Sequence, residues 1–329
     1  MRILVTGGGG FLGRYIVENL INEGHSVTSI GRREQKILSS IGAKVLQVDL
    51  TDYDMVAHAC KKQDAVMHVA AKAGIWGDRK AYYQVNVLGT KNIINACKVE
   101  GIRYLVYTST PSVVFNREAF QGANESLPYG EKWLCAYAET KAIAEKEVLD
   151  AHGSDLKTCA LRPHLIFGPR DPHLLPRVIR AVKCKRLKII GSGKNKVDLT
   201  YVKDAAHAHI KALDALINGD AGGKAYFISQ GSPVYLWEWI NQILSKLNLS
   251  PIKRHIPLSL AYSLGCFLEC IWKTFFLKGE PPLTRFASVE LAKDHYFDIM
   301  RAEEDLGYKP QYTMNDAIEE TISELKNSL

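Results

Sequence analysis

The feature that most constrains this chain is a run of glycines directly after its first predicted strand. Arg2 to Thr6 is a short apolar segment, and it is followed by Gly7-Gly8-Gly9-Gly10-Phe11-Leu12-Gly13. Gly7, Gly10 and Gly13 suit a tight turn, close approach of the backbone to a pyrophosphate, and packing of the next helix against the strand. A helix beginning near Phe11 presents free N–H groups and a positive dipole end to phosphates. The motif therefore predicts a dinucleotide at this junction.

The N-terminal half alternates short apolar segments with longer amphipathic ones. This alternation predicts an α/β fold, a Rossmann-type doubly wound parallel sheet, with a smaller C-terminal substrate lobe. The predicted strands are Arg2 to Thr6, Ser26 to Ile30, Lys44 to Val48, Ala65 to Val69, Tyr104 to Thr108 and Lys157 to Leu161. The predicted helices are Phe11 to Glu23, Met55 to Cys60, Tyr82 to Glu100 and Tyr137 to Ala151.

Domain boundaries follow from where this alternation weakens, after Arg162-Pro163, and where it resumes, near Val197. We place the dinucleotide-binding unit at residues 1–163 and about 197–223. The substrate-binding lobe then comprises residues 164–196 and 224–329. A cofactor bound at the topological switch point of the sheet would have this lobe over its substrate side.

Cysteine usage and charge limit the class of protein. The seven cysteines are scattered without CxxC spacing, which favours a reduced compartment and no metal site. The apolar run after Met1-Arg2 is too short for a signal-peptide core, so we expect a cytoplasmic protein.

The formal charge is +7, and the stretch from Arg177 to Lys196 is basic and contains no acidic residue. This stretch is either a solvated face or a site for an anionic substrate, carrier or lipid surface, and without a recognition motif we expect no nucleic acid.

The end of the second predicted strand bears on cofactor choice. NAD-selective sites usually carry an acid there for the ribose hydroxyls, whereas this chain reads Ser29-Ile30-Gly31-Arg32-Arg33. Two guanidinium groups suit the 2′-phosphate through bidentate contacts. Arg32 and Arg33 therefore predict NADP(H) in preference to NAD(H).

Further cofactor contacts are predicted at the ends of the third and fourth strands. Asp49-Leu50 is placed for the adenine ring, although Asp49 could instead be a turn residue that caps the next helix. His68-Val69-Ala70-Ala71 ends the fourth strand with small residues where a flat ligand could approach, and Lys72 continues this segment.

A tyrosine and a lysine lie four residues apart in Tyr137-Ala138-Glu139-Thr140-Lys141, on one face of a predicted helix. An ordinary tyrosine has a pKa of about 10 and is a poor acid–base catalyst near neutral pH. A nearby cation lowers that pKa. We predict that Lys141, helped by an oxidised nicotinamide, has this effect on Tyr137.

A hydroxyl group at the carboxyl end of the fifth strand could hold a substrate carbonyl against Tyr137. Tyr107-Thr108-Ser109-Thr110 ends that strand. We select Thr110 for this role, with Ser109 as its competitor and a plain strand-end or capping role as the alternative. Thr108 and Ser109 are also predicted to border the cofactor.

Taken together, these motifs resemble the extended short-chain dehydrogenase/reductases, in particular their 3β-hydroxysteroid dehydrogenase branch. Within the branch, the segments 71–77 and 279–286 are similar to those of bacterial 2-alkyl-3-oxoalkanoate reductases. The motifs that carry the resemblance are the glycine run, Asp49-Leu50, His68 to Ala71, Asn86-Val87-Leu88-Gly89-Thr90, Thr108 to Thr110, Tyr137 to Lys141, and Leu161-Arg162-Pro163 through Gly168-Pro169.

The resemblance implies residue roles. Tyr137 would be the proton donor or acceptor, with Lys141 holding the nicotinamide ribose and Thr110 as the hydroxyl partner. Asn86 would support a water relay, and Pro163 would contribute backbone near the nicotinamide carboxamide. A homodimer is the family expectation.

The substrate is suggested by Ile256 to Leu277, an apolar segment interrupted by Gly265, Glu269 and Lys273. Its length approaches the about 20 residues of a bilayer span, but its charges argue against a crossing. A pocket-lining helix, a helix lying on a membrane surface and an ordinary core helix remain open. The first two suit an apolar small-molecule substrate.

Four functions are compatible with these motifs. The leading hypothesis is reduction of a 2-alkyl-3-oxoalkanoate to the 3-hydroxy acid, and its nearest rival is a 3β-hydroxysteroid or sterol dehydrogenase. A nucleotide-sugar epimerase would share the Tyr137 and Lys141 pair, but the apolar segment suits a polar sugar poorly. A non-catalytic dinucleotide sensor would have no need of a tuned phenol.

Overall fold

The computed structural model describes residues 1–219 and 221–328, so residues 220 and 329 of the predicted units lie outside the described part. The strands are β1 (Arg2–Thr6), β2 (Ser26–Gly31), β3 (Lys44–Gln47), β4 (Ala65–His68), β5 (Tyr104–Thr108), β6 (Phe120–Ala123), β7 (Lys157–Pro163), β8 (Ile166–Phe167), β9 (Ile189–Ile190), β10 (Lys196–Val197), β11 (Thr200–Tyr201), β12 (Lys224–Ile228), β13 (Val234–Tyr235), β14 (His255–Ile256) and β15 (His295–Phe297).

The helices flank these strands, and two irregular turns interrupt them: a π-helical turn at Gln84–Leu88 and a 3₁₀ turn at Pro111–Val114. The α-helices are α1 (Phe11–Asn22), α2 (Lys36–Ser40), α3 (Tyr53–Cys60), α4 (Arg79–Tyr83), α5 (Gly89–Val99), α6 (Ala136–Asp150), α7 (Leu174–Lys183), α8 (Val202–Asn218), α9 (Leu236–Lys246), α10 (Leu258–Thr274), α11 (Arg285–Glu290), α12 (Met300–Leu306) and α13 (Met314–Ser328).

The large sheet has seven parallel strands in the order β12-β7-β5-β4-β1-β2-β3, with helices on both faces. This confirms the predicted Rossmann-type fold. The chain runs outward from β1 to β3 and then returns to place β4 on the other side of β1. The switch point therefore lies between β1 and β4, where the glycine run leaves the sheet.

The predicted strands of the large sheet are correct to within two residues. All of them except the edge strand β3 are short apolar runs buried between two helical layers. The predicted helix Tyr82 to Glu100 is broken, since the π-helical turn separates α4 from α5. That turn contains Asn86, one of the predicted site residues.

The predicted domain boundaries need correction at three strands. β12, predicted in the lobe, pairs with β7 at the edge of the large sheet, because its apolar run is buried there. Conversely, β6 and the start of the returning segment, β10, belong to a separate four-stranded sheet of order β13-β10-β15-β6. The predicted return to the first unit instead occurs in α8, which packs on α1, β5 and β7.

The apolar segment 256–277 forms β14's last residue, α10 and the following turn. α10 buries Ala261, Gly265 and Glu269 and exposes several large apolar side chains. Within residues 1–219 and 221–328, no helix is both long and apolar enough to cross a membrane.

Candidate active site

The glycine run forms a tight loop between β1 and α1. Gly7 has a φ of +69°, in the left-handed region that favours glycine, and a Cβ on it would lie 2.9 Å from the Cα of Ala70. A Cβ on Gly13 would lie 2.2 Å from the carbonyl oxygen of Gly7. Gly10 is the N-cap residue of α1, and it has no side chain that could accept a hydrogen bond. The backbone N–H groups of Phe11 and Leu12 are therefore left without a side-chain cap. The residues present therefore fit a pyrophosphate.

Arg32 and Arg33 follow β2, and both are exposed at this edge of the sheet. Asp49 accepts hydrogen bonds of 2.9 Å from the backbone N–H and hydroxyl of Thr51, which, with Arg32 nearby, hold the pKa of its carboxyl below the usual value. The next helix is capped by Asp52, so Asp49 forms a local turn and is not the helix cap.

Sequence reasoning missed one residue of this region, Gln35. Its side-chain oxygen accepts a 2.6 Å hydrogen bond from Ser29, and its side chain lies over Gly9 and Gly31. A Cβ on Gly9 would come within 2.9 Å of it. Gln35 therefore borders the glycine loop beside Arg32 and Arg33, on a segment whose polar sequence gave no motif to detect.

His68 lies at the end of β4, but its side chain points into the protein. Its ring is hydrogen-bonded to the hydroxyls of Thr6 (2.7 Å) and Thr90 (2.9 Å), and burial lowers its pKa to about 3. Since both ring nitrogens are used, the imidazole has no free nitrogen for a ligand. The Thr6 hydroxyl also accepts the N–H of Ala70 at 3.0 Å, which fixes the strand end against the glycine loop. Leu50, by contrast, packs against Gly89.

Asn86 joins two segments of the site. Its side-chain oxygen accepts the N–H of Lys72 at 2.7 Å, and its amide donates to the carbonyl of Lys72 and to the hydroxyl of Thr140 at 3.0 Å. Thr140 lies between Tyr137 and Lys141 on α6. The π-helical turn thus holds the Ala70-Ala71-Lys72 segment against the helix that carries the tyrosine and lysine.

The hydroxyl groups after β5 have different environments. Thr108 is hydrogen-bonded to His209 of α8 at 2.7 Å. The Ser109 hydroxyl is buried with no hydrogen-bond partner in the described part of the chain. Thr110 caps the 3₁₀ turn through the N–H of Ser112, and its hydroxyl faces the phenol of Tyr137. The geometry therefore favours Thr110 over Ser109 as the hydroxyl nearest the tyrosine.

Tyr137 does not have the lowered pKa expected from the sequence. Burial raises the pKa of its phenol to about 12, while the facing Thr110 hydroxyl has the opposite, smaller effect. In the cofactor-free protein the net pKa of Tyr137 is therefore raised, because burial outweighs the effects that favour the phenolate. The lowering of this pKa by Lys141 together with an oxidised nicotinamide stays a prediction.

Lys141 is buried one turn along α6. Its ammonium group donates a 2.6 Å hydrogen bond to the carbonyl of Thr108 and lies 4.0 Å from the centroid of the Tyr107 ring. Burial lowers the pKa of Lys141 to about 7, and the nearby Glu145 carboxylate opposes this shift. Within residues 1–219 and 221–328 this is its one hydrogen bond, so two of its three N–H groups remain for ligand hydroxyls.

An apolar cluster borders Tyr137 on the lobe side. Its buried members are Phe115, Cys135, Ala138, Phe286 and Val289, and Ile75, Trp133, Leu134, Tyr137 and Tyr262 pack against them. The rings of Phe115 and Phe286 are 4.9 Å apart. The cluster joins Phe115 to Phe286, which are 171 residues apart, so no local sequence pattern indicates it.

Beyond Thr110, the end of β7 meets the lobe. Pro163 is buried there, and the next residue, His164, lies 2.6 Å from His295 of β15. The two histidines line a small cavity with Ser112 and Glu290. Burial and the neighbouring His295 hold the pKa of His164 far below its ordinary value, so the ring of His164 is uncharged near neutral pH. Sequence reasoning had not paired these histidines.

The chain matches a protein family and is similar to named relatives over nearly its whole length. Residues 4–260 match the model of the 3-beta hydroxysteroid dehydrogenase/isomerase family. A 2-alkyl-3-oxoalkanoate reductase of Stenotrophomonas maltophilia (strain K279a) is 45% identical over 332 residues, covering 100% of this chain and 99% of the relative. A sterol-4-alpha-carboxylate 3-dehydrogenase, decarboxylating, of Mus musculus is 35% identical over 328 residues, covering 97% and 89%.

A solved structure shares the architecture over the whole chain. MoeE5 in complex with UDP-glucuronic acid and NAD superposes with a TM-score of 0.75 at 25% identity, covering 100% of both chains.

Proposed function

The chain belongs to the 3-beta hydroxysteroid dehydrogenase/isomerase family. We propose that it reduces a 2-alkyl-3-oxoalkanoate to the 3-hydroxy acid with NADPH. One observation carries the proposal: the phenol of Tyr137 faces the Thr110 hydroxyl, and Tyr137 packs against an apolar cluster to which both the sheet unit and the lobe contribute. A ketone flanked by alkyl chains has one polar atom for the hydroxyl pair and apolar surface for the cluster.

The proposed reaction uses Tyr137 as the acid. When bound, the reduced nicotinamide supplies a hydride to the carbonyl carbon. Tyr137 donates its proton to the carbonyl oxygen, and Thr110 donates a hydrogen bond that orients that oxygen. Because the pKa of the phenol is about 12, Tyr137 carries its proton throughout the neutral range.

Lys141 has two proposed effects. Its free N–H groups would hold the ribose hydroxyls of the bound cofactor, and its charge would favour the phenolate as the proton leaves Tyr137. Asn86 keeps Lys72 and α6 in register. From the family resemblance we infer that it would also support a water relay for reprotonation. The backbone at Pro163 would contact the nicotinamide carboxamide of the bound cofactor.

The cofactor assignment is supported from both ends of the dinucleotide. The glycine loop at Gly7, Gly10 and Gly13 would take the pyrophosphate, and the structurally similar MoeE5 was solved in complex with NAD. Arg32 and Arg33, exposed beside the loop, would bind the 2′-phosphate of NADPH. Asp49 with Leu50, the Ala70 to Lys72 segment, and the Thr108 and Ser109 backbone would border the adenine and nicotinamide halves, with His68 acting through its backbone only.

A sterol 3-dehydrogenase is the second candidate, since the mouse relative of that name is 35% identical over 97% of this chain. Its mechanism would be the same. The apolar cluster suits a polycyclic ligand as well as alkyl chains. The higher identity of the keto acid reductase, 45%, favours the first candidate.

The experiment is an NADPH oxidation assay of purified protein against a 2-alkyl-3-oxo fatty acid, a 3-ketosteroid and a UDP-sugar. We expect turnover of the keto acid alone, and its loss in Tyr137→Phe with NADPH binding unchanged. Tyr83→Phe, on the neighbouring helix α4, is the matched control and should keep activity. Turnover of only the steroid would refute the keto acid proposal, and a fully active Tyr137→Phe would refute the mechanism.

Assembly and location complete the proposal. We propose a homodimer, which light scattering on the purified protein tests. We also propose peripheral membrane contact through residues 256–277, because the proposed substrate, an acid with long alkyl chains, partitions into lipid.

A further inference from the structure

Two histidines form a buried hydrogen bond where the large sheet meets the lobe. His164 follows Pro163 at the end of β7, and His295 is the first residue of β15; they are 7% and 6% exposed. Nε2 of His164 lies 2.6 Å from Nδ1 of His295. Burial of polar rings is unfavourable unless they are hydrogen-bonded, and two apolar side chains could fill the same space without that requirement. The pair is therefore a candidate for a specific role.

His295 uses its second ring nitrogen to hold helix α11. Its Nε2 donates a 2.6 Å hydrogen bond to the carbonyl oxygen of Glu290, the last residue of α11. The last carbonyl groups of a helix have no partner within the helix, and a histidine side chain can supply one. In the neutral ring, a proton on Nε2 leaves Nδ1 as an acceptor, so His164 donates to it. Both ring nitrogens of His295 are thus used.

His164 is anchored to the sheet through its backbone. Its N–H group lies 3.2 Å from the carbonyl oxygen of Ile228 in β12 and 3.1 Å from the hydroxyl of Thr200. The same hydroxyl donates a 2.7 Å hydrogen bond to the carbonyl of His164. Pro163, the preceding residue, pairs with Ile228 in the sheet. The ring of His164 therefore projects toward the lobe from a fixed point beside Pro163.

The start of α11 is held as well. The Thr284 hydroxyl accepts the N–H of Ala287 at 3.1 Å, and the Glu269 carboxylate of α10 accepts the N–H of Arg285 at 2.7 Å. α11 has only six residues, and a helix this short is not stable without tertiary contacts. Its position is therefore set by the contacts at its two ends.

α11 supplies the lobe side of the apolar cluster that Tyr137 packs against. Phe286 and Val289 are buried in this cluster, and the ring of Phe286 lies 4.9 Å from that of Phe115. Val289 directly precedes Glu290, whose carbonyl His295 holds. The histidine pair thus connects the end of β7 to the helix that forms one wall of the cluster.

We propose that His164 and His295 are positioning residues for ketone reduction: they hold α11 in a fixed place relative to Pro163 and so align the ketone carbon with the nicotinamide. The proposal rests on the proposed function, in which the backbone at Pro163 lies at the nicotinamide and the cluster receives the alkyl chains. Alignment of this kind matters because a displacement of about 1 Å can slow a reaction about a hundredfold. The pair acts through the backbone of β7 and through α11.

Variants of the pair in steady-state ketone reduction test the proposal. His295→Leu removes both hydrogen bonds, so kcat per bound NADPH should fall about tenfold or more. Its Kd for NADPH should stay within about twofold of the wild-type value, because the glycine loop is unchanged. His295→Gln keeps a donor for the Glu290 carbonyl and an acceptor for His164, and it should restore most of the rate. His164→Leu breaks the same bond from the sheet side and should lose kcat to a similar extent.

Product stereochemistry and amide exchange separate alignment from a general loss of stability. A displaced ketone can present its other face to the hydride, so the ratio of the two 3-hydroxy epimers should change in His295→Leu. Amide hydrogen exchange of residues 285–290 should become faster in this variant. Phe120→Leu is the matched control, since it shortens a buried side chain of the same cavity and leaves both hydrogen bonds in place. It should lower the midpoint of thermal denaturation but keep the epimer ratio, with kcat within about threefold.

A wild-type rate or a wild-type epimer ratio in His295→Leu overturns the proposal, and so does full activity of His164→Leu. An equal loss of kcat in Phe120→Leu also overturns it, because packing alone would then account for the effect. A wild-type enzyme that reduces the 3-ketosteroid and not the keto acid refutes the proposed substrate. The same comparison of variants, made with the steroid, then decides the role of the histidine pair.

Discussion

The ammonium group of Lys141 donates a 2.6 Å hydrogen bond to the carbonyl oxygen of Thr108. The group is buried in the protein, and this burial lowers the pKa of the lysine to about 7. The charged form required by the proposed mechanism is therefore lost from the free enzyme as the pH rises through 7. We expect kcat/KM for NADPH in ketone reduction to fall about tenfold per pH unit above this value. The Lys141→Arg variant keeps its charge, so whatever activity it retains should show no such fall in kcat/KM above pH 7. A wild-type kcat/KM that stays constant to alkaline pH would contradict the assignment.

The same burial predicts an effect on stability. The pKa of Lys141 is about 7 in the folded protein and 10.5 ordinarily, so between these values the unfolded chain binds more protons. Stability contributed by this site therefore rises with pH across that window, and the charged lysine destabilises the fold most below pH 7. Lys141→Met should raise the free energy of unfolding in acid by at least about 1 kcal/mol while abolishing turnover.

Urea denaturation of the cofactor-free protein at mildly acidic and at strongly alkaline pH measures this effect. The gain should shrink as the pH rises. Lys146→Met, an exposed position on the same helix, is the control and should show no such dependence. Destabilisation of Lys141→Met at acidic pH would count against a net cost of burying the charge.

The hydroxyl that faces Tyr137 gives a prediction with an internal comparison. Thr110→Val keeps the side-chain shape and removes the hydroxyl, so kcat should fall about a hundredfold. Ser109→Ala removes a hydroxyl without a partner in the described part of the chain, and kcat should change by less than about threefold. Thr110→Ser should restore most of the rate. Thermal denaturation shows whether loss of the 3₁₀ cap unfolds the Val variant, and a larger loss in Ser109→Ala would reverse the assignment.

Six of the seven strands of the large sheet, all but β12, could be predicted because their information is local. Each strand is a short apolar run, and the glycines at 7, 10 and 13 fix where the first one ends. The lobe could not be predicted in this way. Its four-stranded sheet joins β6 to β15 and β10 to β13 across long separations, and most of these strands have only two or three residues. Such strands carry no periodic pattern of their own.

The residues of the site can be divided in the same way, into those that local motifs indicate and those that only tertiary contacts bring together. Asn86, Thr110, Tyr137 and Lys141 could be selected from motifs, and the structure brings them together around α6. The apolar cluster around Phe115 and Phe286 depends on tertiary contacts that no local pattern encodes. Protonation could not be predicted either, because burial moves the pKa of Tyr137 and of Lys141 in directions that spacing alone does not reveal.

Cofactor preference is the remaining prediction, and it depends on two exposed guanidinium groups. Arg32 and Arg33 stand at the end of β2 beside the glycine loop, where the 2′-phosphate of NADPH would lie. Each charge-assisted hydrogen bond to phosphate contributes about 1.5–3 kcal/mol, so Arg32→Ala with Arg33→Ala should raise KM for NADPH by at least about tenfold. KM for NADH should change little, because its ribose carries no phosphate at that position.

Steady-state kinetics with both cofactors measure this preference, and Arg103→Ala, exposed at the opposite end of the sheet, is the matched control. A wild-type enzyme that already favours NADH would refute the NADPH assignment. An equal loss with both cofactors would instead mean that the two arginines bind the pyrophosphate or support the loop, since only a contact to the 2′-phosphate distinguishes NADPH from NADH.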